Sequence, residues 1–175
     1  MKILIIVVLS GIVIYFLFKI CLYFYRPFLL EKMILELQTQ YDQLLIIIDK
    51  STEEAAEQYK NIQSGDRISI LANSEDDLKG NLEKEIASKK HIQEVNNKFI
   101  RLRERFIGDY KKLSEAIVAY RRFLNMRANQ YKNAEIYSRA LGIGSMSFDE
   151  FIASANEDRI AIEESERRLD VLLGG

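Results

Sequence analysis

The sequence predicts an all-α protein: an N-terminal transmembrane helix followed by an elongated antiparallel helical bundle. Three observations predict it. Residues 3–25 (ILIIVVLSGIVIYFLFKICLYFY) carry one charge, Lys19. Beyond Pro27, the only proline of the 175 residues, there is no tryptophan and no stretch that alternates polar and apolar residues as a half-buried strand does. Apolar residues instead recur three and four positions apart, as one face of a helix requires. The chain divides into an anchor (1–26), a bundle core (27–147) and a C-terminal helix with its tail (148–175).

A helix rises about 1.5 Å per residue, so the apolar run reaches roughly 35 Å, enough for a hydrocarbon core of about 30 Å. Lys19 lies near its C-terminal end, where a long stem carries the ammonium toward the headgroups. Tyr23 and Tyr25 fit an interfacial aromatic belt, whereas Tyr15 needs a tilted or protein-packed helix. A cleaved signal peptide has an apolar stretch of about 7–15 residues and then a small-x-small site. Here the run is longer, and Tyr23-Phe24-Tyr25-Arg26-Pro27 offers no small pair, so a retained anchor is expected. Lys2 flanks one end; Lys19, Arg26 and Lys32 flank the other. The positive-inside rule then predicts an inner or plasma membrane protein with its N-terminus outside and its body cytoplasmic. A periplasmic body is the alternative. Cys21, the only cysteine, lies in the anchor, which excludes an intrachain disulfide and a cysteine metal site. It reads as a small apolar membrane residue, with reversible acylation as the minor alternative.

The first soluble helix is expected over residues 28–64. Leu30, Ile34, Leu37, Tyr41, Leu44, Ile48, Ala55, Tyr59 and Ile62 form its stripe, and Ser64-Gly65-Asp66 its stop. Pro27 suits a first turn, so the anchor either kinks there or runs straight on. Residues 67–73 are ambiguous. Ser74 then caps a helix carrying Leu78, Leu82 and Ile86, weakened by Gly80. The longest helix is expected over residues 95–141, with Phe99, Leu102, Phe106, Tyr110, Leu113, Ile117, Tyr120, Leu124, Tyr131 and Ala134 along its seam. Gly108 is its only glycine, and residues 142–145 end it. Ser147 opens the last helix with Glu150 three residues on, a capping box. Phe148, Phe151, Ile152, Ala155 and Ile162 form the edge of that helix, and Leu169, Leu172 and Leu173 follow. Isolated amphipathic helices are marginal in water, so packing of three to five of them is expected to bury the stripes. A parallel oligomeric coiled coil buries the same residues.

Charge is zoned. Residues 98–139 hold eleven basic side chains against four acidic ones; residues 149–170 hold eight acidic against three basic. The first reading is mutual complementation between helices, each solvated pair contributing about 0–1 kcal/mol. The second is a basic face for anionic lipid headgroups; nucleic acid is not expected as a partner.

No site chemistry emerges. There is no Gly-x-Gly-x-x-Gly, no phosphate-binding Gly-x-x-x-x-Gly-Lys loop and no Gly-x-Ser-x-Gly elbow. His91, the only histidine, has Ser88 rather than Glu three positions before it, so the carboxylate–histidine pattern of di-metal bundles is absent. His91 reads as a surface residue. No catalytic residue, cofactor or metal is expected. The candidate interaction face is Arg121, Arg122, Tyr110, Tyr120, Tyr131 and Tyr137, since tyrosine and arginine are enriched at interfaces. Tyrosines at helical spacing are also good core residues. Arg121 and Asn125, one turn apart, read either as a buried hydrogen-bonding pair or as ordinary surface.

Residues 99–151 resemble the C-terminal half of the LemA family, bacterial proteins with an N-terminal transmembrane helix and a bundle of long helices. Ile117, Arg121, Asn125 and Tyr131 fall in the register of the family's long-helix phrase. Phe99 and Leu102, preceded by Asn96-Asn97, are similar to its start, and Leu141-Gly142 with Phe148 and Phe151 to its close. Tyr41-Asp42 resembles the family's Tyr-Asp in the first soluble helix. Leu124 and Lys132 stand where the family has Tyr and Asn, Gln43 to Ile47 replace its Ile-Pro-Asn-Leu-Val, and its Phe-Pro is missing. The resemblance implies a small outside N-terminus, a cytoplasmic body and no known catalytic role.

The sequence therefore points to a membrane-anchored scaffold or adaptor that binds protein partners or itself. A periplasm-facing coiled-coil stalk, like a phage spanin or the ATP synthase b subunit, is the second reading. An enzyme built on a carboxylate cluster such as Glu163, Glu164 and Glu166 is the third.

Overall fold

The computed structural model describes the backbone of residues 2–63, 75–142, 144 and 147–174, and the side chains of residues 13–21, 25–61, 76–134, 136, 144 and 147–174. Among the described residues there are four helices and no strand: α1 (Lys2–Gln63), α2 (Glu75–Arg105), α3 (Tyr110–Gly142) and α4 (Phe148–Gly174). The expected stop at Ser64-Gly65-Asp66, the ambiguous segment 67–73 and the Ser74 cap lie outside the described residues.

α1 settles the question at Pro27: the helix runs through it for 62 residues, about 90 Å of rise. Its environment changes along its length. Val13, Ile14, Tyr15, Phe16, Leu17, Phe18 and Ile20 are at least half exposed, whereas Leu37, Leu44 and Ile48 are buried. Among the described residues α1 is the one helix long and apolar enough to cross a membrane, judged by length and composition, and 7% of that stretch is buried by protein.

The periodicity predicts one helix over residues 95–141 and a separate one opening at Ser74; the structure moves the boundary between them. α2 runs unbroken from Glu75 through Gly80 to Arg105, and the chain then turns at Gly108. Gly108 has φ of +90°, a conformation that side chains strongly disfavour. Asp109 starts α3 by accepting the Lys112 N–H on Oδ1 (3.1 Å), and its carbonyl takes the Leu113 N–H. A glycine stop followed directly by an aspartate cap is thus a complete helix-to-helix turn.

The core gathers Leu37, Tyr41, Leu44 and Ile48 of α1, Ile92, Val95, Phe99 and Leu102 of α2, Leu113, Ile117, Tyr120, Phe123 and Leu124 of α3, and Ile162 and Leu169 of α4. The expected stripes hold in part: Leu78 is buried near the start of α2, while Ile86, Ala134, Phe148, Ile152 and Ala155 are exposed. α4 nevertheless starts as expected. The Glu150 N–H donates to Ser147 Oγ (3.2 Å), and the Ser147 N–H donates back to Glu150 Oε2 (2.8 Å).

Side-chain pairs give the helix directions. From Ser88 to Asn96 along α2, the α3 partners fall from Tyr131 to Tyr120, so the two run in opposite senses. The α4 partners of α2 rise from Glu166 through Asp170 to Leu173 as α2 passes His91, Lys98 and Arg105, so these two run together.

Candidate functional site: charged seams and the α3–α4 groove

Among the described residues, those of the expected interaction face do not form one surface. Tyr120 is buried: its hydroxyl donates to Asn96 Oδ1 (2.7 Å), and its ring stacks on Phe99 with centroids 4.3 Å apart. Burial pushes its hydroxyl far above the ordinary tyrosine range. Tyr131 is half-buried, donating to Glu85 Oε2 and bonded to Ser88 Oγ, each at 3.0 Å. Burial and the Glu85 charge push its pKa up to about 12. Arg121 reaches Glu36 of α1 at 3.2 Å and Arg122 reaches Glu164 of α4 at 3.2 Å. Tyr110 is half-buried at the start of α3, and the side chain of Tyr137 lies outside the described residues. Asn125, one turn from Arg121, is exposed and does not extend the Arg121 pair into a network.

Basic side chains of α2 and α3 are met by acids from neighbouring helices. Lys89 pairs with Asp49, Lys98 with Asp170, Arg122 with Glu164 and Arg127 with Glu166. The strongest concentration is where α2, α3 and α4 meet. His91 Nε2 lies 2.8 Å from Glu166 Oε1, and Arg127 Nη2 approaches the same oxygen at 3.6 Å. Arg127 also lies over the Phe123 ring, whose edge faces His91. Burial pulls the Arg127 guanidinium down from its ordinary value while Glu166 pushes back. His91 is therefore a member of an inter-helix pair rather than free surface. Its partner stands 75 positions away, so no local spacing could announce it.

A groove of about 560 Å³ lies between α3 and α4. Val118, Val171 and Leu172 form its apolar lining, and Glu115, Arg167 and Arg168 its charged edge. Val118 and Val171 are more than half exposed. Among the described residues no three histidine, cysteine, aspartate or glutamate side chains are grouped so as to hold a metal ion.

These features define a class: an all-helical protein with one N-terminal helix apolar enough to enter a bilayer. No protein-family model matches the chain, and no curated protein or solved structure matches it.

Proposed function

We propose that this chain is a single-pass membrane-anchored scaffold: α1 spans the bilayer and holds an antiparallel helical bundle on the cytoplasmic side, where it binds protein partners without catalysis. The observation that carries this reading is the continuity of α1. One helix joins an apolar segment that protein does not cover to a segment whose inner face is fully packed. A rigid helical junction of this kind fixes a body close to a membrane surface. The likeness to the LemA family, resting on Ile117, Arg121, Asn125 and Tyr131, belongs to the same proposal. Interaction through the surfaces around Arg122 and the α3–α4 groove fits an adaptor, since arginine beside exposed aliphatic side chains is a common interface composition.

The stalk reading is less well supported, because the stripes that a parallel coiled coil would bury between chains are already buried within this one. Carbonate extraction of membranes and a reporter fused at the C-terminus test the proposal together. Retention in the membrane with a cytoplasmic reporter is expected. Release by carbonate ends the anchored reading, and an outward reporter favours the stalk.

A further inference from the structure

The turn between α2 and α3 comes back along α1 toward its apolar run. Lys89 of α2 pairs with Asp49 of α1. Seven residues further along α2, Asn96 bonds Tyr120 of α3, whose next residue, Arg121, pairs with Glu36 of α1. As α2 advances, its partners on α1 therefore step back toward the N-terminus. Extending that register at about 1.5 Å per residue puts Gly108 roughly level with residue 30 of α1. Leu30, Met33 and Ile34 do pack on the cluster that contains Phe106 and Leu113. The apolar run ends at Tyr25, so the turn stands roughly 10 Å or less beyond it along the axis. The headgroup layer is itself about 5–8 Å deep, and an anionic surface acts over a Debye length of about 8 Å.

What stands at that level is basic. Residues 98–112 contain six basic side chains and two acidic ones. One acid, Asp109, is engaged in capping α3. Arg101, Arg103 and Lys111 are exposed and make no ion pair among the described residues, so the complementation seen along the seams does not reach them. Arg105 and Lys112 flank the Phe106 ring. Next to Phe106 in the turn, Ile107 has 80% of its surface exposed, an apolar side chain within a basic stretch of sequence. The start of α2, at the opposite end of the same helix, is acidic: residues 75–87 hold five acids and two bases. Charge is thus polarised along the axis as well as between helices.

We propose that this turn is a lipid-docking surface: Ile107 inserts at the headgroup boundary, and Arg101, Arg103, Arg105, Lys111 and Lys112 bind anionic headgroups of the bilayer that α1 enters. The proposal rests on the reading of α1 as an anchor. It converts a single tether, about which a body can swing, into two contacts that set the angle of the body. A polybasic segment close to an anionic leaflet is held by a force that salt weakens. A soluble polyanion is the poorer occupant, because with α1 in the membrane the space facing the turn is taken by headgroups.

The test uses the full chain with Cys21→Ser and a fluorophore on Ile107→Cys, reconstituted in phosphatidylcholine vesicles with and without phosphatidylglycerol. Lys79→Cys, near the far end of α2, is the reference site. The expected result is quenching of the Ile107→Cys label by brominated lipid that rises at least about twofold with the anionic lipid and falls back in high salt, as screening requires. The triple reversal R101E/R103E/K111E removes the increment, and the Lys79→Cys label is unaffected throughout. Quenching equal in the two vesicles, or equal at the two sites, overturns the proposal. So does displacement of the labelled turn from anionic vesicles by duplex DNA of equal charge. A carbonate wash separates the two layers of the reading: protein that washes off refutes the anchor, whereas protein that stays without anionic-dependent quenching refutes only the docking turn.

Discussion

The Tyr120 hydroxyl and the Asn96 amide oxygen form a 2.7 Å hydrogen bond inside the α2–α3 contact, where neither residue exposes more than a tenth of its surface. The bond is enclosed by apolar side chains and by the Phe99 ring stacked on Tyr120. Tyr120→Phe keeps the ring and leaves a buried acceptor without its donor. The expected loss is about 1–3 kcal/mol, because the unmet desolvation of the amide is not returned. Replacing both partners, as Tyr120→Phe with Asn96→Leu, is expected to recover part of that loss. Urea unfolding of the detergent-solubilised protein reads both. A double variant no more stable than Tyr120→Phe alone would show that the bond does not act as a pair.

Two glycines are expected to respond in opposite senses. At Gly108, φ of +90° is strained for any side chain, and a Cβ there meets nothing within 4 Å. Gly108→Ala is therefore expected to destabilise by roughly 1–2 kcal/mol through backbone strain alone. Gly80 lies in the interior of α2 with the same open surroundings and no positive φ. Gly80→Ala is expected to stabilise by about 0.5–1 kcal/mol, the usual helix preference for alanine. Shifts of the same sign in the two unfolding midpoints would remove the Gly108 turn as the reason α2 and α3 are separate.

That turn also marks where the sequence stopped being readable. The stripe Phe99, Leu102, Phe106, Leu113, Ile117, Tyr120 keeps helical spacing straight across Gly108, because both helices of the hairpin face the same core. Periodicity alone cannot tell a hairpin from a rod; the Gly108-Asp109 stop-and-cap pair could, and a lone glycine is a weak breaker unless the aspartate is read with it. The long apolar N-terminal helix, the Leu37–Ile48 stripe and the Ser147–Glu150 box were legible because each is written within a few adjacent turns. The expected interaction face was not. Arg121 and Arg122 lie off the apolar seam and Tyr131 lies on it, yet Glu36, Glu164 and Glu85 claim all three from 42 to 85 positions away. Which stripe positions stay exposed, as Ile86 does while Leu78 is buried, depends on neighbours distant in sequence, and no local pattern encodes that.

Alkaline pH is expected to loosen the body through its tyrosines. Burial raises the Tyr41, Tyr120 and Tyr131 hydroxyls, with Tyr131 pushed up to about 12. For an acid that the fold keeps neutral, the stabilisation is complete below the unfolded value near 10 and is lost as pH climbs through the folded one. Stability should therefore fall from about pH 10 toward about pH 12. Tyrosinate absorbance is expected in two stages, exposed rings first and these three with unfolding. Tyr131→Phe should make the fall shallower. A single stage centred on the ordinary tyrosine value would contradict the burial of these hydroxyls.

Glu166 and Glu163 stand on one helix and both face arginine, but their environments separate them. Glu166 is 19% exposed and is shared by His91 and by Arg127, itself 16% exposed. Glu163 pairs with Arg159 at the surface, with both side chains about three-fifths exposed. Glu166→Gln leaves the Arg127 guanidinium largely out of water without its counter-charge. The expected cost is about 1–3 kcal/mol. Glu163→Gln should change stability by less than about 0.5 kcal/mol, as solvated pairs do. Salt distinguishes them further, since screening reaches the Arg159–Glu163 pair and not the enclosed one. Adding Arg127→Leu to Glu166→Gln removes the stranded charge and is expected to return part of the loss. If the double variant is less stable still, Arg127 holds α3 through its contact with the Phe123 ring rather than through the carboxylate.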